Sequence, residues 1–390
     1  MNEMERATDL SALYDAYCRV MRGKKKKPAA IKFSVNAMEG LCRLKWAMEN
    51  QTYRMGNYTA FNVTRPVFRE VKTCAFQDKI VLRTVCKNVL WGRIEPHLID
   101  TNYASRKGFG HHMALDILEK HLRAYYINHG CDGYVLRIDV RKYFYNLSHD
   151  AIALDMRRFG FDDWTIWMVY QILVSSHHSK KSGYYTTDAK GRCSIVFCDR
   201  QGFPELEVGS PIGNESSQVF AVQYANDIDH KIKDQWGVKY YGRYMDDSYI
   251  IHHDRQYLEE RLADLRELYR KRGLELNNKT QISPLKNGVS FLGMHFILTD
   301  TGKVIRRLRP KNIRYQRVHI RENAEAVARG KMTVESYWKR FEAMDAHNAH
   351  ADAKSLRRQL RRYAEEALQN AYHREQRKLG EVQEDIKESP

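Results

Sequence analysis

Two adjacent carboxylates, Asp246 and Asp247, interrupt a stretch that otherwise has the composition of two buried β-strands. The stretch reads KYYGRYMDDSYIIHHD over residues 239–254, with aromatic and β-branched residues on both sides of the acidic pair. Aspartate is common in tight turns, so the pair predicts the tip of a β-hairpin. On turn chemistry alone, the two carboxylates need have no further role.

A third carboxylate, Asp139, ends another short apolar run, GYVLRIDV. Strand ends can lie side by side in one sheet, and three carboxylates gathered there would repel one another unless a cation compensated them. Carboxylate oxygens are ligands that Mg²⁺ prefers, and two such ions about 3.5–4 Å apart can promote an in-line nucleotidyl transfer. The three aspartates therefore predict a site for two Mg²⁺ ions, with Mn²⁺ as an alternative.

The charge balance of the chain favours a polyanionic partner. The sequence has 65 Lys and Arg against 48 Asp and Glu, a formal net charge of +17. Cations concentrate in two runs, RGKKKKP at residues 22–28 and KVIRRLRPKNIRYQRVHIR at residues 303–321. Either run alone could be a solvated face, but both together with the net charge predict nucleic-acid binding.

The cysteine usage and hydropathy of the chain bear on its location. Seven scattered cysteines, without a signal peptide, favour a reducing compartment. No apolar run approaches the roughly 20 residues that a membrane-spanning helix needs. We therefore expect a cytoplasmic protein with no membrane partner.

Hydrophobic periodicity indicates an α+β chain with helical segments at both ends. An alternating run at residues 58–73 predicts a strand hairpin, and a glycine-broken basic loop precedes a helix that is expected to begin near His111. The predicted divisions are an N-terminal helical extension (1–54), an α+β region (55–302) with a polar insertion at about 175–207, a basic helical segment (303–374) and a charged, fraying tail (375–390).

Seven blocks of the sequence resemble, in order, those of the reverse transcriptase family. REVKTCAFQDKIV and NYASRKGFGHHMAL resemble fingers blocks, while RIDVRKYFYNLSHD, GSPIGNESSQ, YGRYMDD, GLELNNKTQI and FLGMHF resemble successive palm blocks. The resemblance covers roughly residues 55–310. It implies a right-hand polymerase with interleaved fingers and palm, built from an antiparallel sheet and helices, and a basic α-helical thumb. It also implies an RNA-directed DNA polymerase that uses an RNA template and dNTPs and makes a DNA product.

The resemblance assigns roles residue by residue. Asp139, Asp246 and Asp247 would be catalytic, and the same three with Val140 would bind metal. The residues expected to contact the nucleotide are Arg69, Lys72, Arg141, Lys142, Tyr143, Phe144, Ile212, Gly213, Gln218 and Lys279. The residues expected to contact nucleic acid are Arg106, Lys107, Tyr244, Met245, Arg306, Arg307 and Arg309, with Phe291, Leu292 and Gly293 at the primer end.

Two features bear on selectivity. Phe144 lies where the family places an aromatic ring that would clash with a 2′-hydroxyl, although a plain core phenylalanine is the alternative. Ile212 and Gln218 stand where the commonest family pattern has Gln and Pro, as they do in diversity-generating retroelement and defence-associated bacterial enzymes. Ile212 lacks a hydrogen-bonding side chain, so we expect reduced fidelity, and an unchanged error rate in Ile212→Gln would refute this expectation.

The biological setting stays open between several alternatives. The divergent GSPIGNESSQ block favours a bacterial anti-phage defence enzyme with a structured non-coding RNA, and a diversity-generating retroelement enzyme is the alternative. A non-catalytic RNA-binding scaffold of the same fold is disfavoured, because a scaffold gains nothing from clustered carboxylates. After about residue 375 we expect neither an RNase H nor an HNH nuclease domain. A homo-oligomer, an accessory protein, and priming by nucleic acid or by a protein hydroxyl also stay open.

Overall fold

The computed structural model describes residues 1–63, 69–175, 184–187, 193–196 and 208–387. The chain divides into two compact units. Unit 1 consists of Met1–Ala114 and Leu136–Ile282, and unit 2 consists of Leu115–Val135 and Ser283–Pro390. Each unit is therefore assembled from two segments that are distant in sequence. Most of the predicted polar insertion lies outside the described residues.

Helices follow the three-and-four spacing of apolar residues. They are α1 (Glu3–Thr8), α2 (Leu10–Met21), α3 (Pro28–Val35), α4 (Ala37–Glu49), α5 (Phe76–Val85), α6 (Trp91–Ile94), α7 (His111–His129), α8 (His149–Arg158), α9 (Asp163–Val174), α10 (Glu215–Tyr224), α11 (Asn226–His230), α12 (Arg255–Lys271), α13 (Pro310–Ala328), α14 (Val334–Asn348) and α15 (Lys354–Lys387). Side chains cap several of them: the Asp254 carboxylate accepts hydrogen bonds from the Gln256 and Tyr257 amides at the start of α12. Across the described ranges, no helix combines the length and the apolar character needed to cross a membrane.

Strands pair mainly as antiparallel hairpins. They are β1 (Thr59–Val63), β2 (Arg69–Thr73), β3 (Tyr134–Asp139), β4 (Tyr184–Thr187), β5 (Cys193–Val196), β6 (Tyr241–Tyr244), β7 (Asp247–His252), β8 (Gln281–Pro284), β9 (Val289–Phe291), β10 (Met294–Leu298) and β11 (Val304–Leu308). The described strands form two separate pairs, β1-β2 and β4-β5, a sheet in the order β11-β10-β9, and a sheet in the order β6-β7-β3-β8. Helices combined with antiparallel sheets confirm the predicted α+β class.

The four-stranded sheet forms the framework of unit 1, and the division between the units passes through the ends of β3 and β8. The four inner residues of β7 are all buried, and so are the consecutive residues Val135 and Leu136 of β3. Consecutive burial of this kind means that both faces of these strands are covered. These buried strands therefore fix the positions of the residues at their ends.

Unit 2 combines the three-stranded sheet β11-β10-β9 with helices α13 to α15. Its helical core includes Ile320, Tyr337, Phe341 and Leu360, each no more than 4% exposed. The Tyr337 hydroxyl donates to the Ala364 carbonyl at 2.8 Å, which satisfies its polar group inside this apolar cluster.

Three sequence-based expectations about elements differ from the structure. GVSFLGMHFIL was expected to form one strand, but Leu292 (φ +46°) and Gly293 (φ +84°) turn the chain between β9 and β10. The segment after Lys303 was expected to be helical, but it begins with β11, where alternate residues are buried. Helix α15 continues to Lys387 instead of ending at about residue 374.

Candidate functional site

The end of β3 and the β6–β7 turn meet in unit 1. The Val140 amide donates to the Asp246 carbonyl at 3.2 Å, and Tyr244 pairs with Asp247 across the hairpin. Asp139, Asp246 and Asp247 are all half-buried. The structure thus confirms that strand β3 ends beside the acidic hairpin turn.

The backbone of Asp139 is held by the segment GLELNNKTQI. The Asp139 carbonyl accepts hydrogen bonds from the Asn277 amide at 2.7 Å and from the Thr280 hydroxyl at 3.1 Å. Its amide also lies 3.1 Å from the Thr280 hydroxyl oxygen. These contacts use backbone atoms of Asp139, so they orient the residue without engaging its carboxylate. The sequence block was recognised, but Asn277 and Thr280 were assigned no role.

A buried ion pair supports the acidic turn. Arg243 is 1% exposed, and its guanidinium contacts the Asp229 carboxylate at 2.6 Å (Nη2–Oδ2) and 2.8 Å (Nε–Oδ1). The same guanidinium donates from Nη1 to the Met245 carbonyl at 3.1 Å. Burial opposes the charged guanidinium, but the Asp229 charge outweighs this effect and raises the pKa of Arg243. The guanidinium therefore stays charged, and its hydrogen bond to the Met245 carbonyl holds the turn in place.

Left-handed backbone at non-glycine residues recurs in the segments assigned to the site. Within the described residues, Ser105, Lys142, Met245 and Leu292 all have φ between +46° and +56°, and Gln51 is the remaining example. Such conformations cost roughly 1–3 kcal/mol each and cluster at functional sites. Four turns of this kind therefore mark positions where the fold holds the chain in an unfavourable geometry.

Residues assigned to the nucleotide lie in close backbone contact. The Lys72 amide donates to the Ile212 carbonyl at 3.1 Å. A Cβ atom on Gly213 would lie 2.9 Å from the Lys72 carbonyl oxygen, so the two segments can approach this closely only at a glycine. The Ser210 amide donates to the Phe144 carbonyl at 2.8 Å. The GSPIGN segment thus contacts both β2 and the turn after β3.

Two side chains assigned to ligands are engaged inside unit 1 instead. Tyr143 is 2% exposed, its hydroxyl donates to the Ala221 carbonyl at 2.8 Å, and burial raises its pKa. The Arg106 guanidinium donates to the Ile99 carbonyl at 2.9 Å and stacks on the Phe109 ring. Neither side chain faces solvent, which contradicts the ligand contacts expected for Tyr143 and Arg106.

In unit 2, one arginine that was predicted to contact nucleic acid is buried instead. Arg306 is 7% exposed and pairs with Asp116 at 2.8 Å and Glu119 at 2.7 Å, because alternation in β11 turns this residue inward. Its expected contact with nucleic acid is therefore contradicted. Arg307 and Arg309 are exposed and stay available for such a contact.

The primer-end residues form the β9–β10 turn in unit 2. The Asn312 side-chain amide donates to the Gly293 carbonyl at 3.0 Å and so holds the turn. Phe291 is 2% exposed, and Met245 in unit 1 is 7% exposed. Both side chains belong to their cores, so any contact of these two residues with nucleic acid would involve their backbones.

The remaining predicted site residues lie at or near the surface. Gln218 is half-buried, and its side-chain oxygen accepts from the Ser105 hydroxyl at 3.1 Å. Arg69 begins β2, and its side chain is outside the described part of the structure. The exposed residues are Lys107, Arg141, Lys142 and Lys279, and the half-buried ones are Lys72, Phe144, Ile212, Tyr244 and Leu292.

The carboxylates suit a divalent cation by the chemistry of their donor atoms. Hard carboxylate oxygens at rigid backbone positions match the preference of Mg²⁺ and Mn²⁺, and Val140, with a buried side chain, could add only its carbonyl. Within the described residues, the oxygens of Asp139, Asp246 and Asp247 do not all lie within 4.8 Å of one another.

The order of these elements matches a known family. Residues 67–296, more than half of the chain, match the family described as reverse transcriptase (RNA-dependent DNA polymerase). The chain belongs to the reverse transcriptase family. The match includes β3, the GSPIGN segment, the acidic hairpin and the β9–β10 turn. No curated protein matches the chain significantly.

Solved structures similar to this reverse transcriptase include telomerases of Candida. The apo enzyme of Candida tropicalis truncated from its C-terminal domain has 12% identity and a TM-score of 0.46, covering 66% of this chain and 58% of its own. Telomerase of Candida albicans with the TWJ fragment of telomeric RNA has 11% identity and a TM-score of 0.43, covering 83% of this chain and 56% of its own. The present chain thus spans less than two thirds of the length of either telomerase.

Proposed function

We propose that this reverse transcriptase synthesises DNA from dNTPs on an RNA template. Asp139, Asp246, Asp247 and the Val140 carbonyl would hold two divalent cations, Mg²⁺ or Mn²⁺. When bound, such ions activate an attacking 3′-hydroxyl and stabilise the leaving pyrophosphate. The observation that carries this proposal is the backbone hydrogen bond from Val140 to Asp246, which seats the end of β3 against the acidic turn.

Side chains that flank the carboxylates fit the handling of a triphosphate. Arg141 and Lys142 are exposed and follow Val140 directly, and Lys279 is exposed in the segment that holds Asp139. Cations at such positions would attract a polyanion, and a guanidinium can bind phosphate oxygens in pairs. These three residues would therefore neutralise the triphosphate, while the carboxylates would hold the cations that act on the reacting atoms.

The decisive experiment measures dNTP incorporation by the purified full chain on a primed RNA template, with and without Mg²⁺. Asp246→Ala/Asp247→Ala is expected to lower the rate by at least about 10³-fold, because both carboxylates act on the transition state. Binding of Mn²⁺ to the free protein, followed by electron paramagnetic resonance, is expected to weaken in the same variant. This second readout does not depend on activity.

Glu259→Ala/Glu260→Ala is a matched control, because it removes two adjacent carboxylates that are about half exposed on α12. It is expected to incorporate dNTPs at the wild-type rate. Equal activity of the Asp246/Asp247 variant and the wild type would overturn the assigned site. A wild-type protein that binds RNA but incorporates no dNTP would favour the RNA-binding scaffold instead.

We further propose that the enzyme is a cytoplasmic bacterial reverse transcriptase that acts with a structured non-coding RNA in anti-phage defence. Support comes from Ile212 and Gln218, which depart from the commonest family pattern. Sequencing the nucleic acid that co-purifies with the protein is the test. A single structured RNA and its cDNA would support the proposal, whereas cDNA of a template repeat with scattered errors would point to a diversity-generating retroelement.

A further inference from the structure

A strongly basic cavity lies on unit 1, and its lining does not include Asp139, Asp246 or Asp247. It has a volume of 380 Å³ and is lined by α2 and the residues that follow it, by α5 and by the GSPIGN segment. Its charged lining residues are Arg19, Arg22, Lys24, Lys79, Arg83 and Glu215. We call this recess the basic cavity. None of these six residues was singled out individually from the sequence.

The cations of the basic cavity are poorly compensated. Arg83 pairs with Glu215 at 2.5 Å. Within the described residues, Arg19, Arg22, Lys24 and Lys79 form no salt bridge. Burial, and then the charge of Lys79, lower the pKa of Lys24, as expected for an ammonium group held near another cation. Among the described residues, these four cations therefore line one recess without an ion-pair partner, and Glu215, the one acidic residue of the lining, pairs with Arg83.

The sequence run RGKKKKP divides at this cavity. Lys24 is half-buried and lines the recess, whereas Lys25, Lys26 and Lys27 are exposed and do not line it. The basic run therefore has two parts with different surroundings. Only the first part contributes to the recess, and the second has the exposure of an ordinary solvated face.

The basic cavity adjoins a segment that serves the proposed reaction. Gly213 lines the cavity and packs against the Lys72 backbone. A strand of nucleic acid that followed this segment would meet the cations of α2 and α5 together. Because a nucleic-acid strand carries one negative charge per nucleotide, successive phosphates can neutralise several of these cations at once.

We propose that the basic cavity binds successive phosphates of the RNA template strand, so that the N-terminal helices belong to the RNA-binding surface. This inference rests on the proposed function, which supplies the RNA. A free nucleotide is the competing ligand, since a triphosphate could also occupy a recess of this size. The experiment must therefore separate strand binding from nucleotide binding.

The test compares two triple variants of the full chain. Arg19→Gln/Arg22→Gln/Lys24→Gln removes three cavity charges, and Lys25→Gln/Lys26→Gln/Lys27→Gln removes three exposed charges from the same run. Binding of a mixed-sequence single-stranded RNA is measured in EDTA at several salt concentrations. The cavity variant is expected to bind RNA about tenfold more weakly at low salt. The slope of log affinity against log salt concentration is expected to become shallower by about 2, because each of the three lost phosphate contacts contributes about 0.7. The control variant is expected to retain nearly the wild-type slope.

Several outcomes would overturn the inference. Equal losses in both triple variants would show that the cavity is no more than part of a general basic surface. Binding of ATP or dNTP that competes with RNA and is lost in the cavity variant would assign the recess to a free nucleotide. If the triple variant fails to fold, Lys24→Gln is compared with Lys25→Gln, and identical RNA affinity and salt slope would exclude the proposal. RNA binding in EDTA is independent of catalysis, so a failure of the proposed polymerase activity would be seen separately.

Discussion

The acidic turn depends on residues that carry no chemistry themselves. Met245 keeps a left-handed conformation in the tight turn between β6 and β7, and its carbonyl is held by Arg243. Arg243 is in turn held by Asp229, whose carboxylate also accepts from the Tyr241 hydroxyl at 2.6 Å and from the Asn102 side-chain amide at 3.4 Å. A buried ion pair adds little net stability, but breaking one is costly. We therefore regard Arg243 and Asp229 as positioning residues for Asp246 and Asp247.

Asp229→Asn is expected to destabilise the protein by about 3–5 kcal/mol, because it leaves the buried Arg243 charge without a partner. The free energy of unfolding in urea measures this change. A double variant, Arg243→Met/Asp229→Leu, is expected to regain most of the stability but not the rate of dNTP incorporation, since nothing then holds the Met245 carbonyl. Full activity in a stable double variant would show that the pair has a structural role alone.

Phe144→Ala is expected to lower the preference for dNTPs over rNTPs by about tenfold or more, since removal of the ring leaves room for a 2′-hydroxyl. Phe144 is half-buried after the end of β3, with its ring in edge contact with Tyr143. The ratio of kcat/KM for matched dNTP and rNTP measures the change. Tyr145→Ala is the control, because Tyr145 is the exposed neighbour in the same turn. Unchanged discrimination in Phe144→Ala would make this a core phenylalanine.

At the scale of elements, local patterns predicted the parts of the site that depend on neighbours in sequence. The ends of β3 and β6, the start of α7 near His111 and the β1–β2 hairpin all lie where periodicity and turn residues placed them. The break between β9 and β10 was missed, because Leu292 is not a residue that ordinarily signals a left-handed turn. Strand β11 was missed because Arg306 occupies one of its inward positions, so apolar and polar residues do not alternate in the sequence.

The direction in which a cation points was harder to predict than its presence. The family resemblance assigned Arg106 and Arg306 to nucleic acid, yet they turn inward to partners such as Glu95 and Asp116. Those partners become neighbours only through tertiary folding, and no local spacing signals them. For the same reason, the sequence did not predict the ion pair of Arg243 with Asp229. It also did not predict that Arg19 and Lys79 line one cavity.

His230, at the end of α11, gives unit 1 a pH-dependent link. Its Nδ1 lies 2.5 Å from the Asp234 carboxylate and its Nε2 lies 2.8 Å from the His97 carbonyl. Both partners are acceptors, so both ring nitrogens must donate and the imidazolium form is required. Burial alone would lower the pKa of His230, but these two hydrogen bonds, together with the charges of Asp234 and Asp229, outweigh it and raise the pKa.

A raised histidine pKa stabilises the fold below the unfolded value of about 6.5, and that stability is lost as pH rises through the folded pKa. The wild type is therefore expected to have a higher urea midpoint than His230→Gln. This difference in midpoint is expected to be larger at pH 6 than at pH 8.5. Asp234→Asn is expected to reduce the same pH dependence. A difference between wild type and His230→Gln that does not change with pH would contradict the doubly bonded imidazolium.

At the scale of the whole molecule, neither unit is a continuous stretch of sequence. Unit 2 contains most of α7 and the start of β3, which lie in sequence between the two segments of unit 1. It also contains the C-terminal part of the chain from Ser283. Arg306 connects these parts, since it binds Asp116 and Glu119 of α7 and also donates to the His350 carbonyl at 3.1 Å. The Asp352 carboxylate accepts from the Arg306 amide at 2.8 Å. One buried guanidinium thus ties both segments of unit 2 together.

Adjacent arginines of β11 provide the test of this arrangement, because Arg306 is buried and Arg307 is exposed. Arg306→Gln is expected to destabilise unit 2 by about 2 kcal/mol, a value below that for a fully buried pair because Asp116 is partly solvated. Hydrogen exchange in α7 and α13 should quicken, while exchange in α10 and β7 of unit 1 should not change. Arg307→Gln is expected to leave all these exchange rates unchanged and to weaken RNA binding modestly through the loss of one surface charge. If the two variants behaved alike in exchange, Arg306 would not be the link between the segments, and the cohesion of unit 2 would rest on its apolar helical core alone.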